Sequence, residues 1–354
     1  MRKNFCNLLN YKKKYIYFFI LFLCIFALVA FNFYDIKYYK LITKKDWALK
    51  NSGQEVNSIK GIKNIDINIL PAWEITKGNE NVIVAVIDSG IDINSNKIKS
   101  SLYLNEIDKI DSIDNDNNDY VDDYYGWDFY NNDNSLYDDY IYDYHGTYIA
   151  SNILKVAPNV KILPVKFLNS SYGSVEDSIK AIQYSIDRGA KIINCSWNFK
   201  EYNNDLYTIM KNNPDIIFVS AAGNEHINLD EVPIYPASYD LNNVISVMAI
   251  TSSGEPYITS GYGKKVDIAS PGENILVSLP ENDETYIDGT SVATSFVTGA
   301  IALMYSINED LPVEKVKDIL ITSSTSLDTL KGKSKSEGIL NVYESLKKVK
   351  SLSK

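Results

Sequence analysis

The sequence predicts an α/β domain wound on both faces of a mainly parallel central sheet and flanked by helices, preceded by one N-terminal transmembrane helix. Three observations carry that prediction. Five short apolar runs, at 82–87 (VIVAVI), 161–167 (KILPVKF), 191–196 (KIINCS), 216–221 (IIFVSA) and 244–250 (VISVMAI), are nearly continuous rather than alternating, as strands covered on both faces are. Segments with apolar residues at helical spacing separate or follow them, which supplies crossover helices. Residues 15–34 carry no charge, and at about 1.5 Å per residue such a run spans about 30 Å, one hydrocarbon core.

With 354 residues, 45% of them hydrophobic, the chain has material for one domain of about 280 residues plus an appendage. A net charge of -10 argues against nucleic acid as a partner and for an acidic surface with room for cations. The three cysteines are Cys6, Cys24 and Cys195. The first two lie before and within the apolar run and the third in a strand, so no intramolecular disulfide framework is expected and stability rests on packing. Cys195 itself is expected to be buried and inert.

Residues 1–14 form a short basic tail, with Arg2, Lys3, Lys12, Lys13 and Lys14, that the positive-inside rule assigns to the cytoplasm. Lys37, Lys40, Lys44 and Lys45 on the far side weaken that bias. A cleaved signal peptide with a secreted domain is the rival to a signal anchor at 15–34. The length of the run and the lack of a clean Ala-x-Ala site favour the anchor, with the rest of the chain outside the cell membrane. Residues 35–65, rich in Lys and Asn with little periodicity, read as a linker, and the domain is expected over 66–348.

Within that domain, Ser174 and Asp177 make a capping-box start, after which Val175, Ile179, Ile182 and Ile186 recur at helical spacing until Arg188-Gly189. Pro312 opens another helix, and Gly338 to Asn341 leads into a last one. The most apolar helix follows Gly289-Thr290-Ser291. It puts Ala293, Val297, Ala300, Ile301 and Met304 toward a core and Ser291 at the positive end of the helix dipole.

Four residues stand where doubly wound sheets build their sites: Asp88 at a strand end, Asn224 just past another, and His145 and Ser291 at helix starts. Singly, each has an ordinary structural reading, as a strand-end cap, a Gly-Asn turn, a structural histidine and an N-cap serine. Together they lie in the segments VIVAVIDSGID (82–92), HGTYIAS (145–151), AKIINCSW (190–197), VSAAGN (219–224), VDIASPGENIL (266–276) and GTSVATSFVTGAIALM (289–304). In order, context and spacing these segments resemble the subtilisin-like serine proteases, over about residues 66–345.

That resemblance implies a subtilisin-like fold and a monomeric enzyme that hydrolyses peptide bonds in peptide or protein substrates, with no cofactor needed for the chemistry. It implies that Ser291 attacks the scissile carbonyl, His145 removes its proton and Asp88 fixes the imidazole, while the Asn224 amide and the Ser291 N–H receive the oxyanion. It also implies that Ser196, Trp197 and Asn198 form one edge of the substrate cleft and Ala221, Ala222 and Gly223 the other wall of the first specificity pocket.

Departures from the family pattern are Tyr144 before the histidine, Ser151 and Ser295 for residues usually Gly and Pro, and Trp197-Asn198 where Leu-Gly is common, which would narrow the cleft. The stretch between anchor and domain is also shorter than the family's usual folding pro-domain. These departures leave a subtilase-fold binding protein without turnover as the alternative, against which the four intact site residues argue.

Residues 111–134 are strongly acidic. Asp114, Asp116, Asn118 and Asp122 recur at even spacings around a turn and supply the hard oxygens that a structural calcium ion takes, similar to the Asp-rich insert of some subtilases. The plain alternative is a solvated acidic loop. His226, after Asn224, is expected to be a solvated loop residue.

Overall fold

The computed structural model of the chain describes residues 45–169 and 172–352. The expected tail 1–14, the transmembrane segment 15–34 and the linker portion 35–44 lie outside the described residues. The compact unit that holds the sheet runs from Asp46 to Lys354.

Its main sheet contains nine described strands: β1 (Ile83–Asp88), β2 (Trp127–Asp128), β3 (Lys161–Lys166), β4 (Ile192–Cys195), β5 (Ile217–Ala221), β6 (Val244–Ile250), β7 (Ile268–Pro271), β8 (Thr325–Ser326) and β9 (Gly338–Ile339). Their order across the sheet is β8-β9-β7-β6-β5-β4-β1-β3-β2. Every pairing is parallel except β8 with β9 at one edge. The five strands expected from sequence are β1, β3, β4, β5 and β6, five consecutive neighbours in the sheet. The direction of winding reverses between β1 and β4, so the carboxyl ends of these two strands diverge from the connections on either side and leave a crevice.

Among the described residues six helices are nine residues or longer: α1 (Tyr140–Val156), α2 (Val175–Asp187), α3 (Asn204–Asn212), α4 (Thr290–Ile307), α5 (Val313–Ser323) and α6 (Val342–Leu352). The capping box at α2 forms, with Ser174 Oγ accepting from the Asp177 N–H at 2.9 Å and its hydroxyl donating to Asp177 Oδ2 at 2.7 Å. Helices α2 and α3 bury Ala181, Ile182, Leu206 and Met210 against Ala85, Ile87, Leu163, Val165, Ile193 and Cys195, the residues that one face of β1, β3 and β4 presents. Helix α4 packs on α1 and across β4 to β7. It is long and apolar enough to cross a membrane, but 83% of it is buried in the unit, and it is the core helix that its small-residue pattern predicts.

The linker reading fails where the structure describes it. Trp47 and Ala48 are completely buried, Leu49 nearly so, and the indole N–H of Trp47 donates to Glu273 O at 2.8 Å. Asn51 Nδ2 donates to Ser252 O at 2.9 Å, and Asp46 pairs with Lys155 of α1 at 3.0 Å. A two-residue hairpin, Glu55–Val56 with Ile59–Lys60, turns the strap back. The folded unit therefore starts at Asp46 rather than 66. This strap is held by single side chains that reach remote partners, which leaves no period to read. Replacing Trp47 by alanine is expected to cost about 3–5 kcal/mol, read as a lower denaturant midpoint; a mere tether would leave the midpoint where it was.

Candidate active site

Strand β1 ends at Asp88, 1% exposed, beside the crevice. Its Oδ1 accepts from the Ser89 N–H at 2.7 Å and from His145 Nδ1 at 2.7 Å, and its Oδ2 is buried without a partner among the described residues. A carboxylate accepts only, so Nδ1 carries a proton, and in the neutral ring the lone pair is then on Nε2. His145 keeps 26% of its side chain exposed and packs edge-on against Tyr148, with ring centroids 4.6 Å apart. The glycine after it is required by packing, because a Cβ on Gly146 would lie 2.3 Å from Gly90 O and 3.1 Å from Asp88 Cβ. Only a residue without a side chain lets α1 sit this close to the strand end.

Ser291 is not the cap of its helix. Helix α4 begins at Thr290 with Gly289 as N-cap, at φ 136, so Ser291 lies within the first turn and its hydroxyl is free of capping duty. That hydroxyl donates to Ser196 O at 3.2 Å, and Ser196 Oγ donates to Ser291 O at 3.2 Å. The recorded hydrogen bond of the Ser291 side chain thus goes to the end of β4, not to the imidazole. The Ser291 N–H is one of the helix-start donors without an intrahelical acceptor.

Asn224, three residues beyond β5, is oriented by Thr290. Its Oδ1 accepts from the Thr290 N–H at 2.9 Å and from Thr290 Oγ1 at 3.0 Å. Nδ2 would lie 3.4 Å from a Cβ on Gly289. A carboxamide donor and a helix-start N–H therefore stand together at a positive pole, and the hydroxyl is on the same turn. Such a group of donors can receive an anionic oxygen. Thr290 had no role in the sequence reading; its place directly before the serine was the available signal.

The expected cleft residues lie at the ends of neighbouring strands: Ser196, Trp197 and Asn198 after β4, and Ala221, Ala222 and Gly223 at the end of β5. Asn198 Nδ2 is 3.8 Å from a Cβ position on Gly223, so the two edges face each other. Gly223 has φ +84, and a side chain there would meet Ile234 Cδ1 at 2.6 Å and Glu225 Oε2 at 2.7 Å. Trp197 departs from the sequence reading. Its indole is 7% exposed, donates to Ile87 O at 3.0 Å and packs edge-on against Phe167 and Phe199 at 5.0 and 5.5 Å. Its bulk goes into the core rather than across the cleft. A pocket of about 450 Å³ opens beside it, lined by Tyr130, Phe167, Leu168, Tyr172, Trp197, Asn198 and Phe199 among others.

The acidic loop groups its carboxylates differently from the sequence expectation. Asp114 accepts from the Asn118 and Asp119 N–H groups at 3.1 and 2.9 Å. Burial acts to raise its pKa, but the backbone N–H groups of Asp119, Asn118 and Asn117 hold it below the usual carboxyl range. Asp122 is likewise spent on the Asp111 and Ser112 N–H groups. The carboxylates that converge are Asp108, Asp116 and Asp123, one oxygen of each lying within 4.8 Å of the others.

Asp116 Oδ1 is buried with no partner among the described residues, and burial raises the pKa of Asp123. Asn118 belongs to this group, donating to Asp116 at 3.2 Å and to Asp123 at 3.1 Å. Of the expected ligands Asp114, Asp116, Asn118 and Asp122, the structure therefore gathers only Asp116 and Asn118, and adds Asp108 and Asp123. Three hard carboxylates suit a divalent cation such as calcium, whereas Asn118 turns its amide nitrogen to them and its Oδ1 to the Tyr120 N–H. Cys195 is fully buried, with its thiol pKa pushed up by burial and by the Asp88 charge. His226 is exposed and rests against the Tyr262 ring.

A family model described as the subtilase family matches residues 79–341. Among curated proteins, the chain is 29% identical over 297 residues to "Subtilisin-like protease 2" of Plasmodium falciparum (isolate 3D7), a match that covers 78% of this chain and 21% of that protein. It is 34% identical over 284 residues to "Subtilisin-like protease 1" of the same organism, covering 70% and 41%. The chain thus matches less than half the length of these two relatives. Among solved structures, a lanthipeptide protease aligns with a TM-score of 0.64 at 23% identity, covering 78% of this chain and 90% of that one, which shows a shared fold.

Proposed function

Since the chain belongs to the subtilase family of subtilisin-like serine proteases, we propose that it is a membrane-anchored serine endopeptidase with Asp88, His145 and Ser291 as its catalytic triad and Asn224 in the oxyanion hole. The observation that carries this reading is the 2.7 Å hydrogen bond from His145 Nδ1 to the buried Asp88 carboxylate, with Ser291 on a helix start at the same edge of the sheet.

A peptide substrate lies extended beside Ser196, Trp197 and Asn198, with Ala221, Ala222 and Gly223 as the facing wall. The Ser291 hydroxyl rotates from Ser196 O toward His145 Nε2 when substrate is seated; such bonds are often loose before binding. Nε2 takes the proton as Oγ bonds to the scissile carbon, and the imidazolium that results is stabilised by Asp88. The oxyanion is met by Asn224 Nδ2, which Thr290 aims, and by the Ser291 N–H. The imidazolium then protonates the leaving amine, and water attacking by the same route releases the acyl group.

Calcium would have a structural part only, held by Asp108, Asp116 and Asp123. The uncharged run at 15–34 supports a single-pass anchor with this domain outside the cell membrane. The alternative, a subtilase-fold binding protein without turnover, has one observation on its side, the Ser291 hydroxyl turned to Ser196.

A fluorophosphonate probe separates the two. The wild-type chain is expected to label and Ser291→Ala not to, while Asn224→Ala loses about 100- to 1000-fold in peptide turnover. A folded wild type that stays unlabelled contradicts the enzyme reading. For the loop, calcium is expected to raise the melting temperature and chelator to lower it, with the response gone in Asp123→Asn; identical melting curves with and without calcium remove the ion.

A further inference from the structure

Lys166, the last residue of β3, has 1% of its side chain exposed. Its ammonium has three protons and three carboxylates around it: Asp128 at 3.2 Å, Asp143 at 3.1 Å and Asp138, which is closest. Burial by itself would depress this ammonium, but the Asp138 hydrogen bond and the charges of Asp128 and Asp143 hold its pKa above that of an ordinary lysine. Asp128 and Asp143 are as buried as the lysine, whereas Asp138 is 36% exposed.

The position of this cluster relative to His145 is its notable property. Lys166 and Asp88 are partners in register across β3 and β1, so their side chains leave the sheet on the same face. Asp143 lies two residues before His145, in the first turn of α1, where a carboxylate also offsets the helix dipole. Its Oδ2 accepts from the Asp138 and Asp139 N–H groups at 2.7 and 3.1 Å as well as from Lys166, which ties the segment entering the helix to the helix itself. At Gly90, just past the strand end, a Cβ would touch Asp143 Cβ at 3.2 Å and Lys166 Cδ at 3.3 Å. The exit of β1, the end of β3 and the start of α1 are thus packed around one ammonium.

We infer that Lys166 is a positioning residue for His145: through Asp143 it fixes the first turn of α1 over the end of β1, and so sets the imidazole at hydrogen-bonding distance from Asp88. The inference rests on the proposed roles of Asp88 and His145. Without the lysine, Asp128 and Asp143 are buried charges with no cation, a costly state that is relieved by displacing the helix start or protonating a carboxylate. Either response shifts His145 while Ser291 and Asn224, on other elements, stay in place. A displacement of about 1 Å can lower a rate about 100-fold.

The test uses the purified full-length chain and Lys166→Met, at a temperature where circular dichroism shows the variant folded. Two quantities are read: the rate of labelling by a fluorophosphonate, and the low-field proton resonance of the His145–Asp88 hydrogen bond. Labelling slowed about 10- to 100-fold together with loss or an upfield shift of the resonance is expected. An unchanged labelling rate with the resonance kept overturns the inference, and so does slow labelling with the resonance kept, because the loss then arises away from His145. If Lys166→Met does not fold, Asp138→Asn takes its place: an upfield shift of the resonance with labelling slowed about threefold or more supports the inference, and no change in either overturns it. A wild type that never labels sinks the protease reading, and the resonance comparison then decides the positioning role alone.

Discussion

The hydrogen bond between Asp88 and His145 exists because a strand end and a helix start approach one another more closely than side chains normally allow. Two glycines make that approach possible, Gly146 under the helix and Gly90 where the strand leaves the sheet, and the Lys166 cluster lies against the second of them. The contact also sits where the winding of the sheet reverses, so the carboxylate at the end of β1 faces the crevice next to the end of β4. The remaining site residues depend on the same edge. Ser196 follows β4 and holds the Ser291 hydroxyl, Asn224 follows β5, and Thr290 links Asn224 to the helix that carries Ser291.

Charge in the unit follows a division between surface and interior. Residues 1–45 hold nine of the 35 Lys and Arg residues but only one of the 45 Asp and Glu residues, so the folded unit is more acidic than the chain as a whole. Where acid groups are buried they are compensated, by Lys166 at the active-site edge, by Lys317 and Lys335 on Asp267, by Arg188 and amide donors at Asp116, and by the Tyr184 hydroxyl and amide donors at Asp123. In the loop that holds Asp108, Asp116 and Asp123 the compensation is incomplete, with Asp116 Oδ1 left buried and unpartnered among the described residues. A cation there would complete it.

Five of the nine described strands were legible because buried parallel strands announce themselves as continuous apolar runs, and α2 because Ser174 and Asp177 form a local cap. The positions of Asp88, Asn224 and Ser291 at element ends were legible for the same local reason, whereas His145, expected at a helix start, stands in the second turn of α1, which begins at Tyr140. What escaped depends on contacts between remote residues. The Asp46–Gly61 strap binds through Trp47 and Asn51 to partners 226 and 201 residues away, and no periodicity records such contacts. Lys166 lies within the apolar run 161–167, and nothing local to that run records the three carboxylates that meet it. In the acidic loop, even spacing suggested Asp114 and Asp122, but Asp114 satisfies N–H groups of its own turn and Asp122 those of Asp111 and Ser112, while Asp108, which joins Asp116 and Asp123, lies before the acidic stretch.

The most direct test of the account is the rate at which Ser291 is acylated by an active ester when Asp88 is replaced by asparagine, with folding checked in parallel. Asparagine fits the same space but cannot accept the Nδ1 proton in the same way, so the imidazole loses the tautomer that the serine needs. If the Asp88–His145 pair activates Ser291, acylation falls about 10,000-fold while the melting temperature changes little. A folded Asp88→Asn chain that is acylated as fast as the wild type contradicts the account.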